Sequence, residues 1–83
     1  MTFLELQHRL LDHLRHRIGS GEATERSLAR LAGISQPHLH NVLKGKRLLS
    51  FDMADEILQN LRLTVFDLIQ PEEVRRWHER RSR

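Results

Sequence analysis

Three observations predict an all-α fold for this chain. Apolar residues return every three or four positions along each segment long enough to judge, no segment sustains the period-two alternation of a strand, and short breaks bearing glycine, serine or threonine divide the segments. With 83 residues and no cysteine, one small core must hold the molecule without a disulfide or a thiolate-bound metal. One compact unit is expected.

The first helix is carried by Phe3, Leu6, Leu10, Leu14 and Ile18, with Leu4 and Leu11 widening the stripe. Gly19-Ser20-Gly21 ends it. Its charges recur every few residues, so it reads as neither a signal peptide nor a membrane span, and a cytoplasmic, nucleoid-associated protein without a membrane partner is expected. Thr24 is placed to cap a second helix, whose buried side is Leu28, Ala29, Leu31 and Ala32 before Gly33 breaks it. Ser35 caps the third, with Leu39, Val42 and Leu43 facing inward and Gly45 placed to stop it. Pro37 falls in the first turn of this third helix, where its missing amide proton breaks no helical bond.

Ser50 caps a fourth helix with the stripe Phe51, Ala54, Ile57, Leu58 and Leu61, and Asp52 in its first turn suits the helix dipole. Thr64 and Asp67 have capping-box spacing, opening a short fifth helix through Val65, Phe66, Leu68 and Ile69. Residues 1–70 thus form the domain, and residues 71–83 are either a basic tail or a short helix begun by Pro71 and containing Val74 and Trp77.

Charge is segregated along the chain. Residues 15–47 hold seven basic side chains against two acidic, a balance of +5; residues 48–73 hold one against six, −5; residues 74–83 hold five against one, +4. Such a field suits one polyanion-facing surface, although solvated helix faces would carry the same residues. The six histidines suggest metal, but His13 and His16 lie three apart on one helix, His38 and His40 point to opposite flanks of another, and no HExxH pairing exists. No metal site or other cofactor is expected. No nucleophile, base and oxyanion site can be assembled from spaced motifs either, so an enzyme is not expected.

The second and third helices together meet the demands of a helix-turn-helix at residues 25–44. A steep crossing over a short turn needs a small residue, Ala29; the turn needs one tolerant of positive φ, Gly33; Ile34 plugs it, and Leu28, Leu39 and Val42 close the core. The run T-E-R-S-L-A-R-L-A-G-I-S-Q-P-H-L-H-N-V-L-K-G-K-R resembles the phage lambda repressor family of helix-turn-helix domains, and L-R-L-T-V-F-D-L-I, Leu61 to Ile69, is similar to its closing turn and last helix. The resemblance covers about residues 15–69. It implies a five-helix lambda repressor-like domain, here with an additional C-terminal helix as an option, that binds duplex DNA sequence-specifically with the third helix in the major groove.

With Leu39 at the bottom of a helical wheel, Pro37, Asn41 and Lys44 fall opposite, His38 and His40 on the flanks, and Gln36 in the exposed first turn. The resemblance places the base readers at such positions: Gln36, Pro37, His38 and Asn41. Gln36 and Asn41 suit bidentate pairing with adenine, and Pro37 offers an apolar surface to a thymine methyl. Ser35, His40, Lys44, Lys46, Arg47 and Arg26 are placed to meet phosphates, which position the protein without specifying sequence. Two residues depart from the family: Glu25 stands where it usually has glutamine against a phosphate, and Arg62 where it commonly has glycine, at a cost of roughly 1–2 kcal/mol if left-handed. A small transcriptional regulator, a repressor acting as a homodimer on an operator, is the resulting expectation. The alternative is an antitoxin-like or phage-derived interaction module that holds another protein through the first helix or the tail arginines Arg75, Arg76, Arg80, Arg81 and Arg83.

Overall fold

The computed structural model describes residues 1–81, so the Arg83 of the expected basic tail lies outside them, as does the side chain of Arg81. Five α-helices follow one another: α1 (Phe3–Gly19), α2 (Glu25–Ala32), α3 (Gln36–Leu43), α4 (Phe51–Asn60) and α5 (Pro71–Arg81), with one 3₁₀ turn, Val65–Leu68, before the last. Among the described residues there are no strands. Among the same residues no helix is long and apolar enough to cross a membrane.

Four helices begin alike. The hydroxyls of Thr2, Thr24, Ser35 and Ser50 accept from the amides of Glu5 (3.1 Å), Ser27 (3.0 Å), His38 (3.2 Å) and Met53 (3.2 Å), each satisfying a donor that the helix itself leaves open. At α2 the cap is reciprocal, since the Thr24 amide donates to Ser27 Oγ at 3.0 Å. Three helices also end alike. The amides of Ile34, Lys46 and Leu63 reach back five residues to the carbonyls of Ala29, Asn41 and Leu58. The residue before each amide, Gly33, Gly45 or Arg62, is left-handed, with φ of 70°, 79° and 55°.

The core is apolar and small. Leu10, Leu11 and Leu14 of α1, Leu28, Ala29 and Ala32 of α2, Leu39 and Val42 of α3, Leu49 and Ile57 are buried together, and among the described residues no polar or charged one is buried with them. At about 25 cal/mol per Å² of apolar surface, the leucines, Val42 and Ile57 each contribute roughly 1.5–3 kcal/mol. α2 lies at the centre, packed on both α3 and α4, while α1 packs on the 3₁₀ turn.

The chain departs from expectation in its later third. The fifth helix expected over Val65–Ile69 is a single 3₁₀ turn; Asp67 does serve it, its carboxylate accepting from the Thr64 amide (2.6 Å) and hydroxyl (3.1 Å). Only six residues separate the Thr64 cap from Pro71, and the last of them, Gln70, is held extended by that proline, which leaves room for little more than one turn. Residues 71–81 take the helical option; the Arg9–Glu73 ion pair ties α5 back to α1, and Arg9 also donates to the Leu68 carbonyl of the 3₁₀ turn at 3.3 Å. Phe3 and Phe51, assigned by periodicity to apolar stripes, are instead 76% and 68% exposed, and Phe66 of the expected fifth helix is 79% exposed.

Candidate nucleic-acid interface

Gly33, Ile34 and Ser35 join α2 to α3, and the crossing is closed by Ala29, Leu39 and Val42, all buried. A Cβ on Gly33 would stand 3.2 Å from Glu56 Oε2, so α4 as well as the positive φ favours glycine there. α3 is therefore fixed along one side by core contacts and at its start by the Ser35 cap. Pro37 stands at the second helical position, one residue before the His38 amide that Ser35 receives.

Two further contacts hold α3, and neither was legible by position. The Arg15 guanidinium, reaching from α1, donates to the Leu43 carbonyl through Nε at 3.1 Å and is itself paired with Asp12 at 2.8 Å. A cation there satisfies a terminal carbonyl and faces the negative end of the helix dipole. At the other junction, His40 Nδ1 lies 3.2 and 3.3 Å from the two carboxylate oxygens of Glu25, the first residue of α2. A third bond, from Asn60 Nδ2 to the Leu31 carbonyl at 2.6 Å, secures the end of α2 from α4.

The residues expected to read bases fall into two groups. Gln36 and Pro37 are exposed, whereas His38 and Asn41 are half-buried on the sides of α3. Of the expected phosphate ligands, Arg26, Lys44, Lys46 and Arg47 are exposed, and none pairs with an acid among the described residues. Ser35 is engaged as a cap through its hydroxyl oxygen, which leaves its proton to donate. His40 is engaged with Glu25, so any phosphate contact by His40 competes with that carboxylate.

Perturbed titrations sit on α1 and the segment packed against it. Burial, then the positive charges of Arg17 and His16, lowers the His13 pKa, and Arg17 Nε donates to His13 Nε2 at 2.9 Å, a bond that needs a neutral ring. Hydrogen bonds from Thr64 lower Asp67, and the Arg9 guanidinium lowers Glu73. Among the described residues no three His, Asp or Glu side chains converge as a metal site would require. No family model, no curated protein and no solved structure matches this chain.

Proposed function

We propose that this chain is a small sequence-specific DNA-binding regulator, a repressor in the lambda repressor-like fold, that lays α3 in the major groove. One observation carries the reading: a short helix, capped by Ser35 and braced by α2, offers Gln36 and Pro37 to solvent at its start, with Lys44, Lys46 and Arg47 exposed just beyond its end. Amide and apolar side chains on the first turn suit base edges, and cations past the last turn suit flanking phosphates. His38 and Asn41, half-buried in the free protein, would read from the sides of α3. Ser35 and Arg26 add phosphate contacts from the start of α3 and from α2.

A half-site read by one module supplies little affinity, so the reading includes a homodimer on a two-fold operator. It includes no enzyme activity, no cofactor and a cytoplasmic, nucleoid-associated location. The test is selection of binding sites from random duplex DNA, repeated with Gln36→Ala and Asn41→Ala. A defined site preferred roughly 10³-fold over random sequence, with each substitution relaxing particular base positions, is the expected result. Binding that falls steeply with salt yet shows no sequence preference would overturn it.

A further inference from the structure

Met1, Arg9 of α1, the end of the 3₁₀ segment and one side of α5 enclose a cleft of about 660 Å³. That volume lies within the roughly 300–1,000 Å³ of small-molecule sites. Glu73, Arg76 and Trp77, and Arg80 follow one another at three- and four-residue spacing, so α5 gives a continuous face to the cleft.

The lining divides by chemistry. Met1, Phe66, Ile69, Val74 and Trp77 supply an apolar wall, of which Phe66 is 79% and Trp77 51% exposed. Three guanidiniums, Arg9, Arg76 and Arg80, meet one carboxylate, Glu73, and Arg9 already holds that carboxylate. Arg76 and Arg80 are exposed, stand one helical turn apart, and pair with no acid among the described residues. Like charges at that spacing repel, so an anion between them relieves a repulsion that the helix otherwise carries. The smaller hollow across Arg9 carries Asp12 and Asp67 and has the opposite sign, so the excess of positive charge belongs to the α5 side.

An inorganic anion would satisfy the guanidiniums and leave the aromatic wall wet. An uncharged hydrocarbon would cover the wall and leave two cations without a counter-charge. An extended peptide would need partners for its amide groups, and Gln70 is the one uncharged polar side chain in the lining. We propose that the cleft binds an amphipathic organic acid, a small molecule whose apolar body lies against Phe66, Val74 and Trp77 and whose acidic head sits between Arg76 and Arg80, where guanidinium forks receive a carboxylate through paired hydrogen bonds. No residue of the cleft is among the expected base readers or phosphate ligands, so the site holds or fails apart from the DNA-binding reading.

Equilibrium dialysis of the full chain against labelled decanoate, without DNA and below micelle-forming concentrations, tests it, with circular dichroism to verify that each variant stays folded. One decanoate per chain is expected, with a dissociation constant on the order of tens of micromolar, as about a dozen heavy atoms give at ordinary ligand efficiency. Decanol, which keeps the body without the charge, and inorganic phosphate, which has charge without the body, are each expected to bind at least about tenfold more weakly. Arg76→Gln with Arg80→Gln is expected to weaken decanoate about tenfold and leave decanol unchanged. Phe66→Ser, at a side chain exposed enough to be replaced without unfolding the chain, is expected to weaken decanoate about three- to fivefold. No saturable binding up to about 1 mM, several decanoates per chain, or decanol or phosphate bound as tightly as decanoate would overturn the proposal. So would either variant that keeps the native affinity.

Discussion

At Arg62 the backbone turns left-handed where the same helix closure elsewhere uses Gly33 and Gly45. A side chain in that region costs roughly 1–2 kcal/mol, part of which glycine would return as greater freedom in the unfolded chain. Arg62→Gly is therefore expected to stabilise by about 0.5–1 kcal/mol, read as a higher urea midpoint at unchanged slope. Glu25 poses a different question at the same scale. Its carboxylate stands at the start of α2 beside His40, where a phosphate would meet a negative charge unless the imidazole is protonated. Glu25→Gln keeps a hydrogen-bond acceptor for His40 and removes the charge; DNA affinity at pH 7.5 is expected to rise about fivefold, the equivalent of a surface interaction near 1 kcal/mol. Unchanged or weaker binding in a titration would show that Glu25 does not face the DNA.

At the scale of the helices, α3, like α2, depends on its neighbours. An eight-residue helix is well short of the length that is stable alone in water, so its order comes from the Ser35 cap, the buried Leu39 and Val42, and the Arg15 contact at its end. Arg15→Met retains the aliphatic stem and removes the donor. It is expected to destabilise the fold by about 1 kcal/mol and to weaken binding to every DNA sequence alike, leaving the preferred site unchanged. A shift in the preferred site would instead make Arg15 a reader. Starts and stops of the helices were legible from sequence because caps are local: Ser35 meets an amide three residues on, and Gly33 closes its own turn. Arg15 to Leu43, Glu25 to His40 and Asn60 to Leu31 join residues 28, 15 and 29 positions apart, and local patterning does not specify such pairs. Periodicity likewise marked Phe3, Phe51 and Phe66 as apolar without showing whether anything covers them. The fifth helix failed for a local reason that sequence did hold, the restriction that Pro71 places on the residue before it.

Across the whole molecule, pH acts on stability through groups on α1 and the segments packed against it. His13 has a lowered pKa, so the unfolded chain binds its proton more readily; its contribution is present above about pH 6.5 and declines as pH falls toward the lowered value. Asp67 and Glu73, also lowered, contribute above the ordinary carboxylate range and lose that contribution at more acid pH still. Denaturation midpoints are expected to fall in two stages between pH 7.5 and 3, and His13→Gln is expected to remove the upper stage. The exposed cations of α3 and the loop after it share no residue with the cleft on α5. The single tryptophan, Trp77, is half-exposed in that cleft beside Arg76 and Arg80. The protein thus carries its own optical label: anything that fills the cleft should draw the indole out of water and move its emission to shorter wavelength, while an operator seated on α3 should leave the spectrum where it was.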